Sequence, residues 1–199
     1  LSDHNNAAPR IGFAYAAGRS TVIRGGTGIY YDRVWDWLVE TIKRADGTRQ
    51  YELVINNANY PEPFATGIAS VTPPASIRVI DPTLAAQYQM ISSVSVERTF
   101  KNTLFISGRY EFRRGLRQYR SRDLNGPLPG TLLRPDPSRG NVLNFESTGK
   151  SKNQVFNLTA RQRFSIFNVQ ASYNHYSQFG DATGFFNTPS DNYNLSADW

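Results

Sequence analysis

Apolar and polar side chains alternate at period two in several segments, the connections between those segments alternate short and long, and strand-favouring aromatic residues are abundant. These observations predict an all-β fold, an antiparallel up-and-down transmembrane β-barrel segment of about seven strands with long extracellular loops and short periplasmic turns. Composition agrees. Of 199 residues 39% are hydrophobic and 13% aromatic, and the mean hydropathy is -0.49. No run approaches the roughly 18 apolar residues that a spanning helix requires. A barrel tolerates low hydropathy, because lumen-facing residues dilute every strand to half apolar.

The first hairpin is expected where Ile11, Phe13 and Tyr15 alternate with Gly12, Ala14 and Ala16, turn at Gly18-Arg19-Ser20, and return along Thr21 to Tyr31. In that return strand Ile23, Thr27, Ile29 and Tyr31 lie opposite Arg24, Gly26, Gly28 and Tyr30. Glycine there relieves crowding inside a strand. The run Arg24-Gly25-Gly26-Thr27-Gly28 is no phosphate cradle, since it lacks the Walker lysine and the strand-to-helix setting. A second hairpin joins Gln87–Phe100 to Thr103–Phe112 through Lys101-Asn102, with Tyr88, Met90, Val94, Val96 and Phe100 on one face and Leu104, Ile106, Tyr110 and Phe112 continuing it. The third joins Phe156, Leu158 and Ala160 to Phe167, Val169, Ala171 and Tyr173 across Phe164 to Ile166. Tyr193, Leu195, Ala197 and Trp199 sketch a last strand.

The connections divide strictly. Short turns alternate with the stretches Asp32 to Thr83, Arg113 to Asn153 and Ser177 to Asn192, as the two ends of an outer-membrane barrel do. Spans of about nine to eleven residues suit a tilted strand crossing a bilayer. Tyr30, Tyr31, Tyr110, Phe112, Tyr173, Tyr176 and Tyr193 collect at the long-loop ends, and Phe100, Phe164 and Phe167 beside the short turns, which predicts two aromatic girdles. Within the first long loop Trp35, Leu38, Val39 and Ile42 follow helical spacing, predicting a short amphipathic helix over Val34 to Arg44. Pro61, Pro63, Pro73, Pro74 and Pro82 favour extended chain in the rest of that loop, and Pro127, Pro129, Pro135 and Pro137 in the second.

Catalytic signals are weak. Without cysteine there is no disulfide framework, thiolate zinc site, iron–sulfur cluster or cysteine nucleophile. His4 and His175 lack partners at metal-ligand spacing, so no metal, cofactor or catalytic residue is expected. One charge cluster, Arg113, Arg114, Arg117, Arg120 and Arg122, admits three readings: a solvated strand extension, a rim for lipopolysaccharide or another acidic ligand, and, last in rank, a nucleic-acid patch. Nucleic acid is not expected as a partner. Arg24, Arg109, Arg161 and Arg163 project from polar strand faces, where a lumen would solvate them or pair them with Glu97 or Glu111. On the lipid face each would cost roughly 2–4 kcal/mol at mid-depth. Polarity therefore turns Ile23, Ile29, Leu104, Ile106, Phe156, Leu158, Val169 and Ala171 outward.

Several stretches carry a resemblance. Ala8-Pro9-Arg10-Ile11-Gly12-Phe13-Ala14-Tyr15, then Thr21-Val22-Ile23-Arg24-Gly25-Gly26-Thr27-Gly28-Ile29-Tyr30-Tyr31-Asp32-Arg33, resemble the barrel signature of Oar-like TonB-dependent outer-membrane transporters. Ile80-Asp81-Pro82, Val96-Glu97-Arg98, Arg122 to Gly130, Phe145-Glu146-Ser147-Thr148-Gly149 and Asn192 to Asp198 are similar to that family in the same order, so the resemblance spans nearly the whole chain. It implies the outer membrane of a Gram-negative bacterium and plug-gated, energy-coupled uptake of an unidentified ligand. Residues 1–199 would then belong to a single barrel domain, with the plug domain and TonB box elsewhere in the parent chain. About seven strands of a 22-stranded wall make a partial barrel, an arc that cannot close by itself. The partners implied are outer-membrane lipid and lipopolysaccharide, the chain's own plug, and TonB; oligomeric state is left open. The alternative is a soluble β-sandwich carbohydrate-binding module whose apolar faces meet each other; it would stay dispersed without detergent. A hydrolytic enzyme ranks third, for want of a nucleophile, base and orienter.

Overall fold

The computed structural model describes residues 6–50, 60–62, 74–101, 103–182 and 184–199. The histidine His4, the turn residue Asn102 and the prolines Pro63 and Pro73 lie outside these described residues. The elements run β1 (Arg10–Ala16), β2 (Thr21–Tyr31), α1 (Asp36–Arg44), β3 (Ile77–Ile80), β4 (Tyr88–Phe100), β5 (Leu104–Asp123), β6 (Val142–Arg163) and β7 (Asn168–Gly180). They build one curled half-barrel sheet. Its antiparallel path is β1-β2-β4-β5-β6-β7, and the short β3 pairs parallel with β6 through Ile77↔Val142 to Ile80↔Phe145. Since β5 holds one edge of β6, β3 and β7 share the other, β7 along Ser151–Arg163 and β3 above it.

All three hairpins form as the alternation predicts. Gly18, at φ 83°, closes the first turn, where the Ala17 amide donates to the Thr21 carbonyl over 2.9 Å. At the third, the Phe164 amide donates to Phe167 O over 2.9 Å and the two rings stack at 4.6 Å. The register sets faces across the whole sheet: Tyr15↔Ile23↔Val96↔Gly108↔Leu158↔Tyr173 is one row, with Phe13, Val94, Tyr110, Phe156 and Val169 on the same side. Gly25 belongs to that face, and a Cβ there would meet the Phe13 ring at 2.5 Å, so glycine lets the ring lie across the neighbouring strand.

Burial along this sheet runs opposite to that of a water-soluble protein. On β4 the apolar Met90, Val94, Val96 and Phe100 are exposed, whereas Ile91, Ser93, Ser95, Glu97 and Thr99 between them are half-buried. None of Ile23, Ile29, Leu104, Ile106, Phe156, Leu158, Val169 and Ala171 is buried. With no opposing layer on the apolar side among the described residues, the sandwich alternative finds no support; hydrocarbon is what covers that face. The other face is polar and internally paired. Arg24 approaches Glu97 at 3.5 Å, Arg109 and Arg113 flank Glu111, Asn157 donates to Asn174, and Arg161 donates to Gln170 at 3.0 and 3.1 Å.

Three expectations are corrected. The region from Arg113 to Asn153 is not wholly loop: β5 continues to Asp123 and β6 begins at Val142, giving strands of 20 and 22 residues that rise past the bilayer. Polar residues pair there as readily as apolar ones, so alternation does not mark the extension. Tyr193 to Trp199 is not a strand; Leu195–Asp198 is a 3-10 helix. Side-chain bonds win locally: Asp191 accepts from the Tyr193 and Asn194 amides at 2.7 and 3.1 Å, and Asp198 accepts from the Ser190 amide at 3.0 Å. The upper girdle also loses members. Tyr30 and Tyr176 sit on the polar face by register, the Tyr193 hydroxyl donates to Gly126 O at 2.8 Å, and Tyr173, opposite Leu158, faces lipid near mid-depth, leaving Tyr31, Tyr110 and Phe112 at the long-loop end of the lipid face.

These faces make a direct prediction. In the intact barrel Leu158→Arg, near mid-depth on the lipid side, is expected to destabilise by about 2–4 kcal/mol, and Thr159→Arg on the polar side by far less. Denaturant titration of folding into lipid vesicles measures the difference.

Candidate functional site

Above the bilayer the same strands enter a different regime. Beyond Gly115 the β5–β6 pairing shifts twice, between Gly115 and Gln118 and between Gln118 and Arg120, with Arg117 at φ 54°. Such bulges bend and twist a ribbon. Past them, apolar residues bury against each other: Tyr119 and Phe145 pack with Leu38 and Ile42 of α1 and with Leu84. Ring centroids of Tyr119 and Phe145 lie 5.2 Å apart, with Phe185 at 6.1 and 6.4 Å from them. The helix forms where its spacing predicts, with Asp36 in the first turn, Lys43 and Arg44 in the last, and Leu38 and Ile42 as its buried stripe. The long loops thus fold into a cap with its own small dry core.

Charge pins that cap. Glu146, 1% exposed, receives Arg120 Nε at 3.3 Å, Arg122 Nε at 3.0 Å, Asn144 Nδ2 at 3.3 Å and Thr148 Oγ1 at 2.6 Å. Arg120, 3% exposed, also reaches Asp181, donating to its carbonyl at 3.3 Å with its carboxylate 3.7 Å away. A second knot gathers the loop between β5 and β6. Asp123 accepts from the Asn125 and Val142 amides at 3.0 and 2.9 Å, and Asn125 Nδ2 donates to the carbonyls of Asp136, Arg139 and Gly140. The Asp123-Leu124-Asn125-Gly126 stretch is therefore a loop-closing device.

The five arginines singled out in the sequence are divided by the fold. Arg113 faces the polar side and pairs with Glu111. Arg120 and Arg122 are spent on Glu146. Arg117 lies over the Tyr88 ring, 5.7 Å from its centroid. Arg114 sits on the lipid-facing side directly opposite Lys152, and both line a cavity of about 450 Å3 together with Phe112, Lys150, Asp181, Ser196 and Trp199. Sequence reading missed the two lysines. Their signal is parity, since Lys150 and Lys152 continue the row Gln154, Phe156, Leu158 and Ala160 toward the long-loop end. A second cavity, of about 530 Å3, lies between α1 and the segment after β3, lined by Val34, Val39, Lys43, Asp81 and Leu84 among others. Among the described residues no cluster of His, Asp and Glu is arranged to hold a metal ion.

Two outcomes test the cap. Glu146→Gln leaves Arg120 buried beside a neutral partner, a change worth about 3–5 kcal/mol in comparable pairs. Faster amide exchange over residues 119–123 and 142–147 is expected, with the bilayer-spanning rows unchanged. Asp81 supplies a pH dependence: the Thr83 hydroxyl and amide, at 2.6 and 2.7 Å, hold its carboxyl below the ordinary aspartate value. A lowered folded pKa means stability that is complete above the unfolded value and lost as pH falls through the folded one. Exchange of the Thr83 amide, corrected for intrinsic rate, is expected to stay flat from about pH 7 to 5 and to rise only below the ordinary aspartate range.

Comparison with known proteins agrees with this geometry. No curated protein sequence matches the chain significantly. Among solved structures, the outer membrane transporter YddB from Escherichia coli aligns with a TM-score of 0.59 at 12% identity, covering 87% of this chain and 20% of that one. The FrpB iron transporter from Neisseria meningitidis (F3-3 variant) aligns with a TM-score of 0.52, also at 12% identity and with the same coverage. The likeness is one of fold, and the chain spans about a fifth of the length of either structure. The sequence itself matches the outer membrane beta barrel domain over residues 1–199. With its apolar face turned to lipid and its loops gathered into a cap, the chain belongs to the outer membrane beta barrel domain family and forms part of the wall of a barrel in the outer membrane.

Proposed function

We propose that this chain is wall and extracellular cap of a TonB-dependent transporter, in which a plug housed within the barrel gates energy-coupled uptake of a ligand. Residues 1–199 are then one part of a single barrel domain, and plug and TonB box are supplied elsewhere in the parent chain. The observation that carries the reading is the pairing of an internally bridged polar face with a folded cap at the mouth. A lumen lined by Arg24–Glu97 and Arg109–Glu111–Arg113 offers fixed charges to a plug, while the capped loops narrow the entrance. The Oar-like motifs and the fold shared with the two transporters support the same reading. Catalysis has no part in it.

Of the arginine cluster, Arg113 is the member that faces the lumen, and with Arg109 it is the ligand- or plug-contacting candidate; Arg120 and Arg122 act by holding the cap in place. Transport is tested by comparing the compounds removed from conditioned medium by wild-type cells, cells lacking the parent protein and cells lacking TonB. The expected result is at least one compound whose depletion needs both proteins. Equal depletion in all three strains overturns energy-coupled uptake. Replacing Arg109 and Arg113 by glutamine is expected to slow that depletion about tenfold, as loss of a charge-assisted contact worth about 1.5–3 kcal/mol implies, while the folded barrel persists in heat-modifiable gel mobility.

A further inference from the structure

The second cavity of the cap, of about 530 Å3, has a size at which clefts take small ligands. Its floor is dry. Leu84 is buried in the cap core, Val34 and Ile80 pack against that core, and all three line the cavity beside Val39 and Pro82. Along one wall α1 presents Asp36, Val39 and Lys43, at spacings of three and then four residues, so all three stand on one face of the helix. That face reads acid, apolar, base.

The charges at its two ends are uncommitted. Glu40 and Arg44 on the same helix bridge each other at 2.7 Å, and Asp81, the third charged residue at the cavity, accepts from Thr83 and, at 3.2 Å, from Asn144. Among the described residues neither Asp36 nor Lys43 makes an ion pair, and both are exposed. The helix macrodipole accounts for an acid in the first turn and a base in the last, but not for their standing on one face of one cavity.

Spacing selects the ligand. Asp36 and Lys43 are seven residues apart on α1, a rise of about 10.5 Å. At about 3.3–3.6 Å per residue, an extended tripeptide holds its terminal ammonium about 10 Å from its carboxylate. A single amino acid falls far short. Successive side chains of an extended chain point to opposite sides, which sets apolar ones against Val39 on the helix and against Ile80, Pro82 and Leu84 across the cavity.

We propose that this cleft binds short apolar peptides, tripeptides above all, with the free ammonium at Asp36 and the free carboxylate at Lys43. The inference rests on the transport reading and deepens it, by naming the class of ligand that the cap captures.

Isothermal titration calorimetry of the intact parent protein in detergent, with trileucine as the probe, tests the cleft. Trileucine is expected to bind wild type, and N-acetylation or C-amidation of the peptide each to weaken it about tenfold, as loss of one charge-assisted contact implies. Variants sort the two losses. In Asp36→Asn acetylation is expected to change nothing further while amidation still weakens binding about tenfold, and in Lys43→Gln the pattern reverses. Both side chains are exposed, so neither change threatens folding, and the blocked peptides test the site without any mutation. The linear zwitterion ω-aminooctanoate, of similar span but without peptide groups or side chains, is expected to bind about tenfold more weakly than trileucine. Undetectable binding of trileucine, equal binding of the free and doubly blocked peptides, or unaltered losses in both variants overturns the proposal. Equal binding of ω-aminooctanoate overturns the peptide class. Peptide binding that holds while depletion from the medium is independent of TonB removes transport and leaves the cleft; TonB-dependent depletion of other compounds without trileucine binding removes the cleft and leaves transport.

Discussion

Hydrocarbon offers no hydrogen-bond partner, and this governs the molecule from the ladder outward. Every amide and carbonyl that enters the bilayer must be met by another backbone group, so the antiparallel rows from β1 through β7 pair residue against residue across the span. Once the ladder is obligatory, side chains have one remaining freedom, the face they take. Apolar residues go where lipid replaces water, and polar residues go where they can bridge one another. That is why β4 exposes valine and half-buries serine, and why a chain of low mean hydropathy belongs in a membrane. The same rule applies to the outward edges of β1 and β7. Within hydrocarbon those edges are satisfied only by further strands, in keeping with a chain that covers a fifth of each neighbouring structure.

At the upper boundary of the bilayer the rule changes within a single strand. Below Gly115, β5 needs only its neighbours in the ladder and lipid on one side. Above the two register shifts it is flanked by α1, by the segment carrying Phe185 and by the closed loop between β5 and β6, and Tyr119, Arg120, Ser121 and Asp123 are all buried. Water is available there, so the cap must hold itself together as a soluble protein does, through a dry cluster around Phe145 and through buried polar groups that bond to several partners each. Glu146 meets that requirement with four donors, and Asn125 with three acceptor carbonyls. The bulges stand where these two regimes meet.

Legibility in the sequence followed the same boundary. Within the bilayer the periodicity of two is imposed by a physical partition between oil and lumen, so three hairpins, their faces and eight lipid-facing residues could be read directly. Outside it that partition ends. The extensions of β5 and β6 carry arginine, glutamine, serine and threonine in no oil-directed alternation, and their pairing depends on register with a partner strand far along the chain. Helical spacing around Leu38 and Ile42 remained legible because the cap core demands an apolar stripe. The alternating aromatics of Tyr193 to Trp199 misled, since Asp191 and Asp198 offer nearby amides a closer partner than any strand does.

The arginine cluster illustrates what a local charge count leaves out. Five arginines within ten residues read as one basic patch, yet the strand sends alternate residues to opposite sides and the bulge at Arg117 resets the order. The consequence is four separate electrostatic situations. Arg113 joins a lumen-side bridge, Arg120 and Arg122 neutralise a buried glutamate, Arg117 lies over the Tyr88 ring, and Arg114 is left facing outward opposite Lys152 of another strand. Charge already matched by a carboxylate is structural, and local charge density alone does not tell the matched arginines from the rest. Arg114, Lys150 and Lys152 are thus brought to one cavity by register rather than by sequence proximity, since the two lysines come from a strand whose pairing with β5 no local charge pattern announces.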